Sequence, residues 1–302
     1  MFFNYLLPMS VIRTLDFKTI MTSQILYFDA SIEEACRRFC EVNNITFLPF
    51  LEDQEKYAEL HPSGAFSIKT IAPERIVQAE ECIFHLTVLD KFSHREKDHE
   101  VLFVFDHGVL SGVVHICDYN AHKLHEVLYR LLLDFESSLR QYLFLQFDRD
   151  KRKGHEAILD FFRAEAGNTK NDSKTRNWYK SRYRAYEKRE DKQRELETLG
   201  PFQTFYLRDI LTFAAFSGES YFTNDAINCI GDLRNRVMHA ADVVGHEILE
   251  DRSLIYEIEG LKRFFREIET FDFALRKLKN KLHFLEMEEG RKLPSKRIKY
   301  QV

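Results

Sequence analysis

Three residues of this chain, Arg234, Asn235 and His239, have the types and spacing to do chemistry together. An imidazole moves protons near neutral pH, and a guanidinium holds an anion with a rigid fork of donors. The stretch Arg234-Asn235-Arg236-Val237-Met238-His239 reads as the late part of a helix opening near Thr223 or Asn224, both good N-cap types. Ile227, Ile230, Leu233, Val237 and Ala241 recur at helical spacing and give it one apolar stripe. Asn235 and His239, four apart, share the opposite face with Asn228, Asp232 and Arg236. Arg234 falls at the edge of the stripe, where its charge is costly unless it meets a carboxylate or a phosphate. A proton carrier one turn from an anion holder suits phosphoryl chemistry. The alternative for His239 is a helix-end residue favoured by the dipole.

The elements that must position these groups fall into two textures. The 302 residues suit two domains, and a net charge of -4 makes no global case for nucleic acid, so any such case must be local. Five scattered cysteines without a CxxC pair read as reduced thiols of a soluble, cytoplasmic protein. Cys36 and Cys40 could share a helix face, but without nearby histidines they read as core, and no metal site is expected. The apolar N-terminus is far too short to span a bilayer, so no membrane is expected.

From Met21 to Asn120 short strands alternate with helices. Strands are expected at 24–28 and 45–51, flanking a helix capped by Ser31, with a looser stretch from Glu52 to Pro73. A second cycle runs through 75–77, a helix near 84–92, a polar loop at 93–100, and strands 101–105 and 109–115 joined by Asp106-His107-Gly108. From Ala121 onward only helices are expected: 123–147, 155–164, a basic stretch from Lys170 to Arg189, one starting at Pro201 through Phe216, the Arg234 helix, and 250–287 with a break near Thr270. The tail from Arg291 is basic. In the basic stretch Lys174, Arg176, Trp178, Lys180, Arg182 and Tyr183 interleave cations with rings, which suits single-stranded RNA. A solvated helix face is the alternative.

Two resemblances follow. Gly112, Val113, Val114 and Asp118 after a strand and turn resemble the end of a CBS motif, with His115 where Ser or Thr is usual. The resemblance implies an adenine-nucleotide effector held by Gly112 and Asp118; close strand packing and helix capping are the alternatives. Arg234, Asn235 and His239 in a helical domain resemble the HEPN superfamily, defined by Arg, four to six residues, then His. Glu136 then either orients Arg234 or His239 or pairs locally with Arg140, and Arg236 supports the motif. The expected fold class is α+β, an N-terminal α/β CBS-like pair at 1–120 followed by an all-α HEPN-like bundle at 121–302. The resemblance implies a homodimeric endoribonuclease that cuts single-stranded RNA without a metal or other cofactor, in prokaryotic defence or stress. A non-catalytic sensor or dimerisation protein, or one half of a toxin–antitoxin pair, is the alternative.

Overall fold

The computed structural model describes residues 10–43, 45–93, 101–147, 149–187, 202, 205–248 and 254–292. The apolar N-terminus, the polar loop after Ser93, Lys188, Arg189, Pro201, Glu250 and the tail beyond Lys292 lie outside the described residues. The fold is mixed α+β, strands first and helices after, with a small hairpin between the last two helices. By contacts the chain divides into two compact units, one of residues 129–235 and 269 onward, the other of residues 10–128 and 236–268. The division is therefore not a single cut near 120: it passes through three helices, including the motif helix between Asn235 and Arg236.

In the unit that begins at Ser10, α1 (Glu33–Asn43) leads into an antiparallel sheet of β1 (Phe47–Pro49), β2 (Lys56–Leu60) and β3 (Phe66–Thr70). β2 and β3 occupy the stretch expected to be loose. Their sequences KYAEL and FSIKT mix charge with apolar residues, as strands with one wet face do. The strand expected at 24–28 is reduced to a single parallel bridge from Phe28 to Phe50. Cys36 and Cys40 pack with Phe28, Leu48 and Ala58, and burial pushes the Cys40 thiol up to about 11. They are core. The second sheet holds β4 (Ile76–Gln78) parallel to β5 (Val101–Asp106), with α2 (Leu86–Ser93) as the crossover, and β6 (Val109–His115) antiparallel to β5. His107 and Gly108 form the tight turn with φ of 52° and 82°, the positive pair a two-residue hairpin needs.

In the other unit the latter part of α3 (His122–Gln146) packs with α4 (Lys151–Gly167), α5 (Ser173–Glu187), α6 (Leu207–Phe216) and the start of α7 (Asn224–Met238). Leu132, Phe135, Leu139, Tyr142 and Leu143 of α3 are buried as their periodicity requires, each contributing roughly 1.5–3 kcal/mol. After α7 the chain forms β7 (His246–Ile248) and β8 (Leu254–Tyr256), a hairpin where only helix was expected. Its residues HEI and LIY are three apiece, too short for a period to register. The last helix, α8 (Ile258–Lys292), starts eight residues later than expected and runs unbroken through Thr270.

The segment just beyond α7 is clamped. Asn120 Oδ1 accepts from Val243 N at 2.7 Å and Val244 N at 2.9 Å, and its amide donates to Val244 O at 3.0 Å. Gly260 lets α8 press against it: a Cβ there would lie 2.2 Å from the Val243 carbonyl oxygen. Alanine normally stabilises a helix by about 1 kcal/mol over glycine. Gly260→Ala is expected to reverse that sign and destabilise by on the order of 1–3 kcal/mol through overpacking, read as a lower melting temperature. A raised melting temperature would contradict the close approach.

Candidate active site

Local chemistry fixes the motif helix. Thr223 Oγ1 accepts from Ala226 N at 3.1 Å and starts α7, as its residue type predicted. Ile227, Ile230, Leu233 and Val237 are buried along one stripe. The helix stops because Ala240 takes a left-handed backbone, φ 45°, and Ala241 N donates to Arg236 O at 2.9 Å. His239 lies in the turn directly after the last helical residue and is exposed. Asn235 is exposed and Arg234 half-buried. None of the three side chains has a hydrogen-bond or ion-pair partner among the described residues.

Arg236 is spent otherwise. Its guanidinium donates to both carboxylate oxygens of Glu267 at 3.2 and 3.3 Å, and to Asp242 O at 3.4 Å. Glu267, on α8, is 2% exposed, so a forked cation is what makes its charge tolerable there. The polar face expected to carry Arg236 beside Asn235 and His239 is therefore divided, with Arg236 anchoring the helix end. Near Arg236 and Asp242, His125 of α3 is buried with both ring nitrogens unpartnered among the described residues. Burial, His122 and Arg236 hold its imidazole below the ordinary range, against the pull of Asp242.

The remaining sequence-predicted residues sort themselves by what they touch. Glu136 bonds Arg140 one turn on, and Arg140 also donates to the carbonyls of Phe202 and Phe205. This is the local pair, not an orienting contact to the motif. In α5, Arg182 reaches fully buried Asp209 at 3.4 Å and lies over the Trp178 and Tyr206 rings at 5.5 and 5.0 Å. Tyr183 is held by Arg163 at 2.7 Å and by Glu187. Trp178 packs on Tyr179 with centroids 4.8 Å apart. These rings and this cation pack on one another and on their neighbours while staying half-exposed. Lys174 and Lys180 are exposed and Arg176 half-buried, and they keep their charge available.

Gly112 and Asp118 also have structural work. A Cβ at Gly112 would meet Met21 Sδ at 2.9 Å and Thr22 O at 3.0 Å, so glycine is what lets Thr22 bridge to Val113. Asp118 Oδ2 accepts from His115 N at 2.7 Å while His115 Nδ1 accepts from Cys117 N at 3.2 Å, a reciprocal cap on the short 116–120 turn of helix. His115, out of place for a CBS motif, is thus half of a capping box. Glu80, Asp106 and His107 bring their ligand atoms within 4.8 Å of one another, but Lys18 already bonds both carboxylates, at 3.4 and 3.1 Å.

Compared with known protein families, curated proteins and solved structures, the chain matches none. No described helix is long and apolar enough to cross a membrane. The site therefore rests on its own geometry. The sequence shows no local pattern for Asn120, Gly260 and Glu267, whose partners lie 17 or more residues away along the chain, nor for His125, whose ring nitrogens have none among the described residues.

Two outcomes follow from this geometry. Arg236→Ala should cost on the order of 3 kcal/mol by stranding much of the Glu267 charge, whereas His239→Ala should stay within about 0.5 kcal/mol, as exposed positions do. Denaturant midpoints compare them, and equal losses would contradict the division of labour. The second concerns acid. As pH falls through about 6.5 the unfolded chain protonates His125, while the folded chain resists until lower pH. The resulting stabilisation is whole above that value and declines below it. His125→Phe should flatten the fall of melting temperature between about pH 6.5 and 5; an unchanged slope would count against a neutral buried imidazole.

Proposed function

We propose that this chain is an endoribonuclease that cuts single-stranded RNA by attack of a neighbouring 2′-hydroxyl. One observation carries this reading: Arg234, half-buried at the edge of an apolar stripe, has no carboxylate partner among the described residues. A scaffold role for the same helix would call for a structural salt bridge at that position. An unspent guanidinium next to exposed Asn235, with exposed His239 in the following turn, supports this reading.

In this reading the 2′-oxygen bonds to phosphorus and the bond to the 5′-oxygen breaks, leaving a 2′,3′-cyclic phosphate. One proton departs from the 2′-hydroxyl and one arrives on the 5′-oxygen. Arg234 stabilises charge on the phosphoryl oxygens and Asn235 positions His239 or the phosphate. One imidazole cannot be base and acid in the same event, so two copies of the chain supply the pair through their α7 helices. Orientation and a charge clamp account for most of what an internal attack needs. Gly112 and Asp118, the residues through which the CBS resemblance implies an adenine nucleotide, also serve packing and capping.

Single-stranded RNA incubated in chelator with wild type, Arg234→Ala and His239→Ala tests it. Cleavage by wild type and a loss of about 100-fold or more in both variants is expected. Equal cleavage by all three would remove these groups from the chemistry. The same preparations should sediment as dimers, and a strict monomer with full activity would rule out the two-copy site.

A further inference from the structure

The basic stretch keeps a group of cations that the aromatic packing does not use. Along α5, Ser173, Arg176, Asn177 and Lys180 fall at helical spacing and, with Ala166 at the end of α4, line an open cleft of about 220 Å³. Arg176 and Lys180 are four apart, so their side chains stand over one another on one face. Neither side chain has a hydrogen-bond or ion-pair partner among the described residues.

No acid among the described residues pairs with either cation. Glu165 takes the amides of Asn168 at 3.4 Å and Asn171 at 2.8 Å. Asp172 caps α5, accepting from Thr175 N at 2.8 Å and Thr175 Oγ1 at 3.1 Å. Asp160 pairs with Arg163 at 3.0 Å. Lys170 and Lys174, near the start of α5, are exposed, and Lys174 lies close enough to Asp172 to help hold its carboxyl below the usual range. A forked guanidinium and a point ammonium with a hydroxyl and an amide beside them match a phosphodiester, which offers two charged oxygens and no donor.

We propose that this cleft is a subsite for backbone phosphates of single-stranded RNA, held by Arg176 and Lys180. Within the same unit Arg208 of α6 donates to Asn228 Oδ1 of α7 at 3.3 Å, on the polar face that continues to Asn235. Asn235 lies about 10 Å further along the same helix. The inference rests on RNA as the substrate, but its readout is binding rather than cleavage. Trp178, Arg182 and Tyr183 are not part of the contact, because each is engaged in the packing of α4, α5 and α6.

The test uses the full chain carrying His239→Ala, so that RNA stays intact, and follows a fluorescent single-stranded oligoribonucleotide by anisotropy across a salt series. Adding Arg176→Gln and Lys180→Gln should weaken binding at least tenfold and lower the slope of log affinity against log salt by about 1.4, two contacts at roughly 0.7 each. A charge-matched pair in the other unit, Arg13→Gln with Arg38→Gln, should leave the slope within about 0.3 of its original value. Arg176→Lys with Lys180→Arg should retain the slope, and unlabelled inorganic phosphate at high concentration should compete only with the intact cleft. An unchanged slope in the Gln pair, an equal loss in the charge-matched pair, or no binding of RNA by the parent chain overturns the subsite. Loss of cleavage activity in wild type with binding and slope as stated would instead sink the nuclease reading and leave the subsite standing.

Discussion

Glu267 sits in α8 almost without solvent, and a carboxylate there must meet a cation. Arg236 answers with two hydrogen bonds from one plane, and a third reaches the Asp242 carbonyl. That fixes the rotation of the last turn of α7 about its axis. Successive residues turn by about 100°, so once Arg236 faces α8, Arg234 and Asn235 must face elsewhere. The segment that follows is equally constrained, by the Asn120 amide on Val243 and Val244 and by Gly260 pressed against the Val243 carbonyl.

Within six residues this arrangement separates a side chain that holds the fold from side chains left without a partner among the described residues. Arg236 is the structural arginine and Arg234 the available one. An exposed His239 on a mobile tail would have little use; on a turn whose far side is clamped, it has a defined place. The same economy recurs in α5, where Arg182 is consumed by Asp209 and the aromatic rings, while Arg176 and Lys180 on another face are left with their charge. In both helices the cations nearest buried acids are structural, and the others pair with no acid among the described residues.

Much of the fold was legible because helices and hairpins carry local signals. Thr223 at the start of α7, the stripe Ile227–Ile230–Leu233–Val237, and the turn His107-Gly108 are each read within a dozen residues. β2 and β3 escaped because charged residues on their wet face hide the alternation, and β7 and β8 because three residues show no period at all. At the site, Arg234, Asn235 and His239 could be named from their types, but not which arginine was free. That depended on Glu267, thirty-one residues further on. For Gly112 and Asp118 the residue types were compatible with ligand contact, and only the nearness of Met21 and the cap on His115 identified their use.

The central claim is that an internal hydroxyl, and not water, attacks the phosphorus while Arg234 and His239 serve it. The chemistry of the new 3′ end reads this directly. Mass spectrometry of fragments released from a defined single-stranded RNA should find a 2′,3′-cyclic phosphate paired with a 5′-hydroxyl. Fragments ending in a free 3′-hydroxyl with a 5′-phosphate would contradict the account.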